Sequence, residues 1–179
     1  MARFSFDTTV SKSIQKRLSR VANSLERAAA TAQNRTATST VAFFSRSVRQ
    51  DVNVKAARLK KATRIHRARP SKPVAIIDIT GAHITLADMG ARQTRKGVSV
   101  RQLKAGGREV LKSAFIATMR SGHVGVFRRT GKAKLPIKEL YGPSPINLWK
   151  HREIAISRHA LSTLAKEMTR QIQYYRSKS

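Results

Sequence analysis

Two neighbouring runs, Val110-Leu111-Lys112-Ser113-Ala114-Phe115-Ile116-Ala117-Thr118-Met119 and Val124-Gly125-Val126-Phe127-Arg128-Arg129, decide how this 179-residue chain is read. Both are short and carry β-branched and aromatic side chains, and Ser121-Gly122-His123 between them is a turn-forming stretch. They predict a β-hairpin. Downstream, Leu135-Pro136-Ile137 suits an edge strand, because a proline has no N–H to give to an interior ladder. Tyr141-Gly142-Pro143-Ser144-Pro145 then reads as a turn that starts a helix, with Ser144 as its cap and Pro145 in the first helical position. Leu161, Leu164, Ala165, Met168, Ile172 and Tyr175 form the apolar face expected of that helix.

Upstream of the hairpin, residues 90–107 are polar and basic, with only Val98, Val100 and Leu103 to anchor them. A long mobile hairpin or loop is expected there. Pro73-Val74-Ala75-Ile76-Ile77-Asp78-Ile79-Thr80 and Arg64-Ile65-His66-Arg67-Ala68-Arg69-Pro70 read as strands, with Pro70 and Pro73 marking a turn or an edge between them. The first third is helical. Val10, Ile14, Leu18, Val21, Leu25, Ala29, Ala32, Thr36 and Phe43 recur mostly three or four apart, and Asp7 or Thr8 is placed to cap the start. Thr and Ser within residues 34–40 lower helix propensity, so a kink or break is expected there, followed by a second stretch to about Asp51. Asn53 then reads as the cap of a short basic helix, residues 54–61. The expected organisation is one domain over 1–179, mainly helical over 1–62, β-rich over 63–142, and closed by a C-terminal helix over 143–179. No internal repeat and no sustained heptad is seen.

The charge is extreme: 37 Lys and Arg stand against 9 Asp and Glu, a formal net charge of +28. These bases run from Arg3 to Lys178 and do not cluster in one tail, so self-repulsion calls for a polyanion or an acidic protein surface in the working state. With no cysteine, disulfides and thiolate metal sites are excluded. No apolar run approaches the roughly 20 residues that span a bilayer, and the first six residues lack the apolar segment of a secretory signal. A soluble protein made in the cytoplasm, with no membrane contact, is expected.

Chemistry is sparse. His66, His83, His123, His151 and His159 lie on different elements without zinc-ligand spacing. Asp78 and Asp88 are the nearest carboxylate pair, ten residues apart by their numbers, and nothing besides their presence supports a metal or a metal-dependent nuclease. Gly125 to Ala133 departs from a phosphate-binding loop in glycine spacing and in placing Ala133 where a hydroxyl is needed. Neither a nucleophile elbow nor a thiol nucleophile is present. The expectation is no enzyme, no catalytic residue, no cofactor and no metal. No finger, RNA-binding aromatic signature or zipper supports specific readout of nucleic acid, which leaves sequence-independent attraction to phosphates. The residues expected to meet DNA or an acidic partner are Lys55, Arg58, Lys60 and Lys61, then Arg92, Arg95, Lys96, Arg101 and Lys104, then Arg128, Arg129 and Lys132. Tyr141 and Trp149, large amphipathic side chains near a turn, are expected at an interface.

The order Lys112-Ser113-Ala114-Phe115-Ile116-Ala117-Thr118-Met119, Gly122-His123, Gly125 to Arg129, Gly131-Lys132, Leu135-Pro136-Ile137 and Tyr141-Gly142-Pro143-Ser144 resembles the prophage minor tail protein Z family. The opening fits more loosely, with a helix, Asn34-Arg35-Thr36 and a Lys/Arg-rich helix after Asn53. The resemblance implies an α+β fold in which N-terminal helices and a C-terminal helix pack on a small, mostly antiparallel sheet with a long basic loop. It also implies a structural, ring-forming tail-completion protein at the head-proximal end of a long phage tail, in the virion. Partners would be the tail terminator, the tail tube and the head connector, with non-specific contact to genomic DNA. A ribosomal or nucleoid-like nucleic-acid-binding protein is the alternative, and a stopper or tail terminator is the alternative within phages.

Overall fold

The structure, a computed structural model, describes residues 8–177. Helices and small antiparallel sheets give an α+β fold: helix α1 (Thr8–Asp51), helix α2 (Ala56–Ala62), strands β1 (Thr63–His66) and β2 (Ile76–Ile79), a 3-10 turn (Leu86–Met89), strands β3 (Arg92–Thr94), β4 (Gly97–Val100), β5 (Glu109–Lys112), β6 (Ala114–Thr118), β7 (Val124–Arg129) and β8 (Ile137–Leu140), and helices α3 (Pro145–Lys150) and α4 (Glu153–Arg176). The chain divides into two compact units. Within the described residues the first holds 8–39, 65–76 and 158–177, and the second holds 40–64 and 77–157.

Helix α1 runs 44 residues without the break expected over 34–40. Two things offset the low propensity there. Thr38 donates its hydroxyl back to the Asn34 carbonyl, 2.9 Å away, and Asn34 spends its side chain on a distant backbone. The Asn34 amide donates to the Ala68 carbonyl (2.9 Å) and accepts from the Ala68 N–H (2.8 Å), which satisfies a buried residue that no strand pairs. The buried row of α1 is Ala28, Ala32, Thr36, Thr40, Phe44 and Val48, continued by Val52 just past the helix end. Its four-residue spacing drifts by about 40° per step on a helix of 3.6 residues per turn. The expected face therefore meets this row at Ala32 and Thr36 and departs from it on either side, and Phe44 replaces Phe43 as the fully buried ring. Asp7, one expected cap, lies outside the described residues, as do the side chains of Val10 and Ile14.

The core of the second unit gathers Phe44, Val48, Val52 and Leu59 from the helices, Ile84, Leu86 and Met89 around the 3-10 turn, Val98, Val100, Ala114 and Val126 from strands, and Leu148 and Ile156. Each such large side chain taken out of water contributes about 1.5–3 kcal/mol before chain entropy is counted. Trp149 packs half-buried against it, its ring centroid 5.0 Å from that of Phe44.

Two three-stranded antiparallel sheets, β3-β4-β5 and β6-β7-β8, build the β part of this unit. The single strand expected over 110–119 is divided at Ser113, whose φ of 59° turns the chain so that β5 pairs with β4 while β6 pairs with β7. The hairpin across Ser121-Gly122-His123 is found as expected; β8 is an edge strand beside β7, but of the expected Leu135-Pro136-Ile137 only Ile137 lies in it. Along β7, Val126 stands opposite Ile116 and Leu140 on the core side, while Phe127 stands opposite Phe115 and Glu139 on the other. Arg69 and Lys72 exchange backbone hydrogen bonds around Pro70, forming the expected turn.

Ser144 caps α3 by accepting from the Asn147 N–H at 3.3 Å, with Pro145 at the first helical position. The expected single C-terminal helix is instead two, parted at His151-Arg152, where the Arg152 N–H closes on the Trp149 carbonyl and its guanidinium reaches Asp51 at 2.7 Å. The expected apolar face of α4 is also corrected. Ile156 and Gln171 are buried and Leu164, Met168 and Tyr175 half-buried, whereas Leu161, Ala165 and Ile172 are exposed.

Candidate polyanion-binding surface

Every basic residue singled out above belongs to the second unit, which carries 22 Lys and Arg against 6 Asp and Glu. The short basic helix begins two residues later than expected, with Lys55 at the cap position and no side-chain capping bond. Asn53 does not cap it, because its side-chain amide donates to the Met89 carbonyl (2.9 Å) and the Arg101 carbonyl (3.1 Å). Lys55, Lys60 and Lys61 are exposed, the last two in the final turn, where positive charge complements the helix dipole. Arg58 differs: its guanidinium sits 2.8 Å from Asp88, whose carboxylate also accepts from the Thr85 hydroxyl.

Of the hairpin and the loop expected over 90–107, the hairpin is found. Arg92 lies on β3, Arg95 and Lys96 form the turn, and β4 is buried along its whole length. Residues 101–104 are tied down by their backbone: Lys104 N–H donates to Asp51 O (2.7 Å), Asn53 N–H donates to Gln102 O (2.8 Å), and Leu103 bridges Val52. The Arg101 guanidinium donates to the Lys104 carbonyl, closing the segment on itself. The side chain of Leu103, expected as an anchor, is exposed.

Arg128 and Arg129 end β7. Arg128 stands directly opposite Lys138 of β8, both exposed, a like-charge cross-strand pair that costs stability unless an anion answers it. Arg129 lies over the Phe115 ring at 5.3 Å from its centroid, and Lys132 is exposed in the link to β8. Tyr141 is exposed as an interface residue needs, and its hydroxyl donates to Glu139 at 2.7 Å. That bond, with smaller contributions from desolvation and the nearby carboxylate charge, raises its pKa above the ordinary 10.0. Trp149 is half-buried, one part of it packed against the core.

Three relevant side chains were not legible in the sequence. Lys138 joins Arg128 only through the β7-β8 register. Arg108 is used internally, donating to the Ser99 hydroxyl, the Ser99 carbonyl and the Gly90 carbonyl. Glu139 is the shared partner of His123, at 2.8 Å, and of Tyr141. The remaining histidines are dispersed: His159 Nε2 lies 3.0 Å from the Ser39 hydroxyl and His83 Nδ1 lies 3.2 Å from the Gly142 carbonyl. Among the described residues no three His, Asp or Glu side chains are grouped as a metal ion requires, and no helix is long and apolar enough to cross a membrane.

Comparison with curated proteins and with solved structures returns no match. The model of one family, described as prophage minor tail protein Z, matches residues 10–177, so this chain belongs to the prophage minor tail protein Z family and is a structural protein of a phage tail.

Proposed function

We propose that the chain is a tail-completion protein in the neck, at the head-proximal end of a long phage tail, where copies form a ring that supports head-tail joining and the passage of DNA. In this reading all 179 residues act as one tail-completion domain, with the tail terminator, the tail tube and the head connector as neighbours. The observation that carries it, beside the family, is the unanswered charge of the second unit. Of its six carboxylates, Asp51, Asp88 and Glu139 are already engaged by Arg152, Arg58 and by His123 with Tyr141, and Asp78 is not free either. Lys60, Lys61, Arg95, Lys96, Arg128 and Lys132 are exposed, and neutralising them falls to something outside the chain. Phosphates answer any such array without reading sequence.

The test is charge reversal in the intact prophage. Lys60→Glu with Lys61→Glu, or Arg95→Glu with Lys96→Glu, should leave the protein folded while tails fail to join heads or deliver DNA. A tagged copy should be imaged at the head-proximal end of the tail. Full infectivity of both variants would remove the role given to the basic surface, and a tag at the distal end would remove the neck.

A further inference from the structure

In the first unit the usual distribution of large and small side chains is inverted. Among the described residues its buried ones are Ala28, Ala30, Ala32, Thr36, Ala37, Ala68 and Gln171, without one large aliphatic among them. Ile65 and Leu164 are half-buried, and other large aliphatics lie outside: Leu18 is 64% exposed, Val21 51%, Leu25 49% and Leu161 69%. The second unit buries Phe44, Leu59, Ile84 and Met89 completely, so composition alone does not cause the difference. Leu18, Val21 and Leu25 are spaced three and four apart and lead into buried Ala28 and Ala32 at the same spacing. One seam therefore runs along α1, covered at its inner end and bare at its outer end. A contiguous apolar stripe left in water on a helix marks a surface that another molecule covers.

Charge indicates what covers it. Along this stretch Lys16, Arg17, Arg20 and Arg27 are opposed by Glu26 alone, and the described part of the unit holds 13 Lys and Arg against 2 Asp and Glu. Stripe against stripe, two copies would bring these like charges within about one Debye length, roughly 8 Å at physiological salt, where they are poorly screened. A carboxylate-rimmed partner gains from the same charges. We propose that α1 between Leu18 and Leu25 is a docking helix, which lays its apolar face in a groove with an acidic rim on a neighbouring tail protein. The proposal rests on the tail role argued above.

The probe is a preparation of tails purified from a prophage deleted for this chain, to which purified protein is added and the bound fraction measured. The triple variant Leu18→Gln, Val21→Gln, Leu25→Gln keeps good helix formers at exposed positions, so circular dichroism and thermal melting should match wild type while binding falls by about tenfold or more. Leu18→Met with Leu25→Met retains apolar area and should bind as wild type. Arg17→Glu with Arg20→Glu should weaken binding, and raised salt should weaken wild type. Undiminished binding of a folded triple variant overturns the docking helix. So does self-association of the purified chain at high salt that the triple variant abolishes, because the occupant is then a second copy. If the triple variant binds normally and the tag still marks the tail end, the docking helix alone has failed. If wild type binds no tails at all, the tail role has failed with it.

Discussion

The Arg58 guanidinium and the Asp88 carboxylate lie 2.8 Å apart, binding α2 to the 3-10 turn, so one member of the basic helix is held within the fold while its neighbours Lys60 and Lys61 are free to face a partner. The two side chains are about one-third exposed, which screens the pair, and removing it should cost only about 1 kcal/mol. Arg58→Ala should lower the urea midpoint modestly, whereas Lys60→Ala and Lys61→Ala should leave it within about 0.5 kcal/mol of wild type. Equal stability of all three variants would show that the ion pair holds nothing together.

Gly97 opens β4 with φ at +139°, and a Cβ there would stand 2.2 Å from the Leu111 carbonyl oxygen of the paired strand. Backbone cannot retreat as a flexible side chain can. Gly97→Ala should therefore destabilise by about 2 kcal/mol or more, through strain at a positive φ and loss of the β4-β5 register. Gly131, with nothing within 4 Å of its Cβ position, is the control, and Gly131→Ala should change the midpoint by less than about 0.5 kcal/mol. Chemical denaturation of the two variants side by side checks the difference.

Trp149 is the chain's one tryptophan and packs on Phe44, so its fluorescence reports the second unit's core directly. Phe44 is fully buried, and Phe44→Ala should cost about 3–5 kcal/mol because the surrounding side chains close the cavity only in part. Emission of the folded variant should shift to the red as water reaches the indole. An unshifted spectrum with unchanged stability would mean that the two rings do not share one core.

The sequence made local chemistry legible and left pairing hidden. Ser144-Pro145 was readable as a helix start because the cap and the fixed φ of proline act within one turn. The hairpin over 114–129 was readable from its turn, yet the division at Ser113 was not, since only the register of β4 shows where β5 must end. Asn34 and Asn53 were misread for one reason: each was judged by local propensity, as breaker and as cap, while its amide is spent on backbone 34 residues away at Ala68 or 36 at Met89. The candidate surface divides in the same way. Lys60, Arg95, Lys96 and Lys132 are exposed, as isolated surface charges on a sequence generally are, but the tie of Arg58 to Asp88 and the placing of Lys138 beside Arg128 depend on tertiary pairing.

Tyr141 provides a pH test of the outer sheet edge. Its hydroxyl donates to Glu139, and this bond, more than desolvation or the carboxylate's charge, raises the phenol's pKa above 10.0. The folded value lies above the unfolded one, so the contribution to stability is fully present below the ordinary tyrosine range and is lost as pH rises through the raised value. Subtracting the ultraviolet titration of Tyr141→Phe from that of wild type isolates this one phenol. Its midpoint should lie above 10.0, and Glu139→Ala should return it toward the ordinary value by removing the acceptor and its charge together. A midpoint at or below 10.0, or one that Glu139→Ala leaves unmoved, would show that the exposed phenol and the carboxylate do not meet in solution. Removing Glu139 also frees His123, which shares the other carboxylate oxygen at 2.8 Å, so His123→Gln with Glu139 intact is the companion variant. It should leave the raised tyrosine midpoint in place, because the Tyr141 bond uses the Oε2 atom that His123 does not touch.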